Sequence, residues 1–187
     1  MAEPIRLRTP LTEEAVTALK AGDRVLISGP VIAARDAAHQ RLVELIARGE
    51  PLPVELQGQV IYYVGPTPAP AGRPIGSAGP TTAMRMDAYS LLLLERGLKG
   101  MIGKGRRTPA LIEKLREHRA VYFAAGGGLG ALLSERIRSV EVLAYPELGT
   151  EAIRRMVVEE FPAIVINDCH GGDYYTEGVE TWRVPSE

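Results

Sequence analysis

Hydrophobic positions along the chain switch repeatedly between short apolar runs and stripes with helical spacing. Residues 24–28 (RVLIS) read as a short buried strand ended by Gly29-Pro30. Over 36–48 the apolar residues Leu42, Leu45 and Ile46 recur at helical spacing, with Gly49 as the stop. Residues 58–64 (GQVIYYV) predict the next strand, and residues 65–80 (GPTPAPAGRPIGSAGP) are crowded with Pro and Gly. Such a stretch is either a linker or a rigid, ligand-contacting loop, because prolines fix the backbone and glycines let it come close. Thr81 and Thr82 are N-cap candidates for a helix running to about Arg96 and closed by Gly97. Thr108, with Pro109 at the first helical position, opens a second helix over 110–118. A buried strand over 120–125 (AVYFAA), a glycine-rich turn over 126–130 and a helix over 131–137 follow. Strands over 140–144 and 163–167 (AIVIN) complete the pattern. Alternating strands and helices without an internal repeat predict an α/β fold and one compact domain over residues 1–187.

Composition narrows the chemistry. The 187 residues carry 22 basic and 23 acidic side chains, so the chain lacks the basic excess of a dedicated nucleic-acid binder. A single cysteine, Cys169, excludes an internal disulfide framework and a four-thiolate metal site. The uncharged stretch 120–133 is too short and too rich in glycine to span a bilayer, and no charged segment followed by an apolar one opens the sequence. A soluble, cytoplasmic protein is expected, with no membrane partner. Charge is distributed unevenly: residues 96–119 hold eight Lys or Arg against Glu113 and Glu117. A cationic region suits a small anionic ligand or an acidic partner, although a solvated helix face is the commoner origin of such runs.

Several motifs fail on inspection. Around Gly103-Lys104 a P-loop would require a glycine where Leu98 stands and a hydroxyl where Gly105 stands. The pattern Gly126-x-Gly128-x-x-Ala131 follows a strand and precedes a helix, as a dinucleotide fingerprint would, yet a tight strand-to-helix turn explains it equally well. It keeps a noncatalytic nucleotide-binding or regulatory module open as an alternative. Asp168-Cys169-His170-Gly171-Gly172-Asp173 offers ligand-type side chains but reads first as a turn. What remains is a cationic set beside glycine-rich backbone. Arg35 and His39 are four apart at a helix start, Thr81 and Arg85 repeat that spacing, and Lys104 lies between Gly103 and Gly105, where a ligand can approach. Two Arg, one Lys and hydroxyls at helix N-termini suit a dianion such as a dicarboxylate.

The stretches SGPVIAARDAAHQRL (28–42), YYVGPTPAPAGRPIGSAGPTTAMRMD (62–87) and MIGKG (101–105) resemble the β subunit, or C-terminal domain, of iron-sulfur fumarate and tartrate hydro-lyases. The resemblance continues through VYFAAGGG, VLAYPELGTEAI and FPAIVINDCHGGDYY, nearly the whole chain. It implies a swivelling β/β/α domain in a hetero-oligomer whose α subunit holds a 4Fe-4S cluster through three cysteines. No cofactor or metal ligand is then expected in this chain. The implied reaction is reversible hydration of fumarate to (S)-malate, with L(+)-tartrate or mesaconate as the rival dicarboxylates. By motif position, Arg35, Arg85 and Lys104 resemble the substrate carboxylate binders, and Thr81 resembles the residue proposed as base, or else caps the helix and positions substrate. Asp36, His39, Thr82 and Asp87 stand beside these residues as supporting candidates. Pro30, Ala33-Ala34 and Met84 depart from the family pattern next to the site, which bears on substrate choice more than on reaction type.

Overall fold

The computed structural model describes residues 3–184. In chain order the elements are β1 (Ile5–Arg8), α1 (Glu13–Thr17), β2 (Arg24–Ala33), α2 (Asp36–Ala47), β3 (Val60–Tyr62), α3 (Asp87–Glu95) and β4 (Gly100–Gly103). They are followed by α4 (Pro109–Glu117), β5 (Val121–Ala124), α5 (Gly130–Ser134), β6 (Ile137–Ala144), β7 (Ile153–Asn167) and α6 (Tyr174–Trp182). Short 3₁₀ segments cover Ala83–Met86 and Pro146–Glu151. The result is a single compact α/β domain, as the alternating pattern predicts.

Two long antiparallel strands organise it. β2 and β7 pair from Arg24↔Ile164 to Ala33↔Arg154, and each lends its other edge to two further strands. β2 takes β1 in parallel along its first half and β3 along its last residues. β7 takes β6 and then β5, both antiparallel. β3, β4 and β5 run parallel to one another, so the circuit β2-β3-β4-β5-β7 returns to β2 and the mixed sheet closes into a barrel. Closure removes open strand edges around that circuit.

The barrel corrects the expected end of the first strand. Gly29-Pro30 does not terminate β2: the register shifts between Ile27 and Gly29, and Gly29 adopts φ +117, so the strand bends and continues to Ala33. This is a bulge of the kind that turns barrel corners. On the facing strand Glu160 takes φ 48 and its N–H reaches Ser28 Oγ at 3.0 Å, so both strands bend at the same place. Likewise the expected strand 163–167 is the tail of a much longer β7, and the expected helix 131–137 is cut to Gly130–Ser134 because Ile137 enters β6.

Side chains on both faces of β3, β4 and β5 are buried, whereas β1, β6 and most of β7 keep exposed positions. Val25, Ile27, Val60, Tyr62, Ile102, Val121, Phe123 and Val165 fill the barrel, joined by Met156 and Phe161. Ile61, Tyr63, Met101, Tyr122 and Ile166 point outward under α2, α3 and α4, meeting Leu42, Leu93, Leu94, Leu111 and Leu115. Burial on both faces explains why VIYYV and VYFAA are continuous apolar runs rather than alternating ones. The 65–80 segment is a pinned loop: Thr67 N–H bonds Ser77 O at 3.0 Å, Ser77 N–H bonds Thr67 Oγ1 at 2.8 Å, and Val64 bridges Pro80 at the neck. Gly130 lets this loop close on the body, since a Cβ there would stand 2.4 Å from Ser77 Oγ and 2.9 Å from Gly79 N. Gly130 stands inside the nucleotide-like pattern without being one of its defining glycines, Gly126 and Gly128.

Candidate active site at the carboxyl ends of the parallel strands

β2, β3 and β4 run parallel and therefore end on the same edge of the barrel, which is where ligands gather in folds with parallel strands. β2 leads into Arg35, β3 into Gly65 and β4 into Lys104. Arg35 occupies the N-cap position of α2 with extended backbone, and its side chain does not cap the helix. Asp36, the first helical residue, reaches across to Arg85 in the 3₁₀ segment: Arg85 Nε donates to Asp36 Oδ1 at 2.9 Å, and Nη2 pairs with the other carboxylate oxygen. Burial opposes ionisation of Asp36, but the Arg85 hydrogen bond and the charges of Arg85 and Arg35 outweigh it and hold the carboxyl below its ordinary value. Arg35 Nε lies 3.8 Å from Asp36 Oδ2, beyond hydrogen-bond reach, and is a buried donor with no partner among the described residues. The two arginines of the expected clamp thus meet at one carboxylate.

Thr81, Thr82 and Lys104 are joined through the backbone. Thr81 N–H bonds Tyr63 O at 2.7 Å, Lys104 N–H bonds Thr81 O at 3.1 Å and Ala83 N–H bonds Lys104 O at 2.8 Å, with Thr82 bridged to Lys104. The threonines do not cap a helix as expected. Thr82 is at the N-cap position of Ala83–Met86 but makes no side-chain cap, and the α-helix begins only at Asp87. The Thr81 hydroxyl is without a hydrogen-bond partner among the described residues, while its backbone is fixed on both sides. Lys104 is exposed and its ammonium has no partner among the described residues. It borders a mainly apolar cleft of about 490 Å³ that also touches Gly126, Gly127, Tyr174, Tyr175 and Trp182. Gly103 does not leave room for a ligand, contrary to expectation. A Cβ there would stand 2.9 Å from the Tyr63 ring and 3.0 Å from Ala83, so its missing side chain serves packing.

His39 lies beneath Arg35. The ring is wholly buried, its Nδ1 is 2.8 Å from Arg35 O, and its edge meets Tyr63. Burial pushes its pKa down to about 4, so the imidazole is neutral, and Nδ1–H donates to a carbonyl that already accepts His39 N–H. Asp87 faces away from this cluster. Its carboxylate takes Arg107 Nε at 2.7 Å and Thr108 N–H at 2.6 Å, and Arg107 is fully buried over the rings of Tyr63 and Tyr122. Sequence reasoning missed Glu151, whose carboxylate lies 3.4 Å from Arg35 Nη2 and accepts Ala37 N–H at 2.8 Å. It is 114 residues from Ala37 in the chain, and no local pattern signals it.

Cys169 and its neighbours form a turn. Asp168 accepts N–H groups of Ala21, His170 and Gly172, and burial together with the Asp168 charge pushes the Cys169 thiol up. Among the described residues no group of His, Cys, Asp and Glu is gathered to hold a metal ion.

The model of the fumarase C-terminus family matches residues 1–178. The chain belongs to that family. Among its relatives, the anaerobic class I fumarate hydratase of Escherichia coli is 42% identical over 156 residues, which is 82% of this chain and 28% of that protein. Fumarate hydratase 2 of Leishmania major is 40% identical over 158 residues, 83% of this chain and 28% of its own. The chain therefore spans little more than a quarter of the fumarate hydratases it matches. A putative L(+)-tartrate dehydratase subunit beta of Methanocaldococcus jannaschii is 35% identical over 173 residues, covering 89% of both chains. In this member of the fumarase C-terminus family, the RDAAH, TTAMR and GKG motifs converge on the edge described above.

Proposed function

We propose that this chain is the β component of a hydro-lyase that reversibly hydrates fumarate to (S)-malate, acting in the cytoplasm within a hetero-oligomer. The meeting of Arg35 and Arg85 at Asp36, on the edge where Lys104 emerges, carries the reading. In this reading the barrel with its outer helices is the family's swivelling β/β/α domain. One half-buried, protonated thiol does not suit the anchoring of an iron-sulfur cluster, so the 4Fe-4S group is assigned to the α subunit.

Removing a proton from carbon beside a carboxylate pushes negative charge onto that carboxylate. Fixed cations aimed there stabilise the transition state more than the ground state. Arg85 and Lys104 are assigned this task, and Arg35 grips the far carboxylate and orients the substrate. Thr81 is assigned to the proton transfer. Its hydroxyl is a weak acid, so it depends on the neighbouring cations to take that part.

The tartrate dehydratase subunit matches this chain over nearly its full length, which favours L(+)-tartrate as the second reading. Anaerobic co-expression with the cluster-bearing partner, followed by assay of fumarate, (S)-malate, tartrate and mesaconate, separates the two. Hydration of fumarate by the assembled enzyme but not by this chain alone is expected. Turnover by the isolated chain, or full activity in Arg85→Ala, sinks the scheme.

A further inference from the structure

We propose that Glu151 is a positioning residue for Arg35, and that Gly65 completes the seat in which the Arg35 guanidinium rests. The proposal deepens the dicarboxylate reading and rests on it for the purpose of the seat. Helix N-termini favour Ser, Thr, Asp or Asn at the N-cap, and their partial positive charge disfavours a cation. Arg35 is at that position in α2 and leaves the helix uncapped by its own side chain. Glu151 makes up for both defects from a distant segment. Its Oε2 accepts Ala37 N–H at 2.8 Å, and its Oε1 is 3.4 Å from Arg35 Nη2.

Glu151 is itself held in place. The Arg154 guanidinium donates to the carbonyls of Gly149, Thr150 and Ala152, bolting together the segment that ends at Glu151. On the opposite side Gly65 permits the approach: a Cβ on Gly65 would stand 2.2 Å from Arg35 Nη1 and 3.2 Å from Cζ. The Arg35–Glu151 contact is longer than a full hydrogen bond, and Arg35 Nε has no hydrogen-bond partner among the described residues. The guanidinium is therefore oriented without being saturated, and it keeps donors for an incoming carboxylate.

The test uses variants that separate capping from positioning. Glu151→Gln keeps an oxygen for Ala37 N–H and removes the charge facing Arg35, whereas Gly65→Ala moves the flexible end of Arg35 and leaves Glu151 intact. In the full chain, hydrogen exchange at Arg35 Nε, assigned through Arg35→Lys, should quicken about tenfold in both variants while the unfolding midpoint barely moves. In the assembled enzyme, Glu151→Gln should raise KM for the dicarboxylate about tenfold with a smaller fall in kcat, and the effect should vanish in an Arg35→Lys background. Unchanged Arg35 exchange in both variants, or a KM effect that persists in Arg35→Lys, overturns the proposal and leaves Glu151 a helix cap. If Arg35→Lys alone leaves KM unaltered, the dicarboxylate assignment of Arg35 fails, and the exchange measurement still decides the role of Glu151.

Discussion

Arg107 and Arg85 belong to the same outer face of the barrel, each paired with an aspartate, and they do opposite work. The Arg107 side chain is 0% exposed, with its charge met by Asp87 and by the faces of Tyr63 and Tyr122. Arg85 is 50% exposed and shares Asp36 with Arg35, whose Nε has no hydrogen-bond partner among the described residues. A buried cation whose donors are satisfied has nothing left to offer a ligand, and its removal strands an opposite charge in apolar surroundings. A half-exposed cation that shares its counter-ion can exchange it for a substrate carboxylate. The saturated pair holds α3 to the start of α4, since Asp87 also takes Thr108 N–H, and the unsaturated pair faces the open edge.

That contrast is broken most decisively at the buried pair. Arg107→Ala should cost about 3–5 kcal/mol of stability, read from urea unfolding, because it leaves Asp87 buried without its partner. A loss no larger than that of Arg85→Ala would erase the distinction. Next in size, Arg85→Ala and Lys104→Ala in the assembled enzyme should each lower kcat/KM by about 10²–10³. Both should shift stability by about 1 kcal/mol or less, as exposed charges do. A large stability loss in either variant would make it structural, like Arg107.

Sequence alone separates these arginines poorly. Arg106 and Arg107 stand together after Gly105, and Asp87 sits in the RMD motif beside Arg85, so Asp87 reads as a neighbour of the site. Its side chain points the other way because the 3₁₀ segment Ala83–Met86 precedes the α-helix and rotates Asp87 toward Arg107. The parts of the fold legible in advance are those set by local pattern: α2, α4 with its Thr108 cap, and the apolar cores of β3 and β5. β4 (GMIG) is too short and too glycine-rich to read as a strand, and the full length of β7 depends on pairing with β2. Glu151 illustrates the limit most clearly, since its meaning comes from a helix end far away in sequence.

His39 sharpens the same comparison by acidity. It is buried beside Tyr63, as Arg107 is, but it meets burial by giving up its charge, with its pKa lowered from 6.5 to about 4. As pH falls below 6.5 the unfolded chain binds a proton that the folded chain refuses, so stability declines through that window and the contribution levels off below about pH 4. The full loss is roughly 3 kcal/mol, from about 1.4 kcal/mol per pH unit. His39→Gln should flatten the urea midpoint between pH 6.5 and 4.5; an unchanged slope would mean the ring is protonated in the folded chain.

The smallest effect is expected where the charge run first draws the eye. Arg116 pairs with Glu113 across one turn of α4 at 3.1 Å, with the two side chains 52% and 59% exposed. Such a pair gains little because water already solvates both charges and ordering two long side chains costs entropy. Arg116→Ala should therefore leave both the urea midpoint and the kinetics of the assembled enzyme within error. A measurable loss of activity would move α4 into the substrate or partner surface, and the cationic run 96–119 would then act as a unit. Otherwise Arg107 and Lys104 are set apart within it, the first by burial and the second by an ammonium at the end of β4 that has no partner among the described residues.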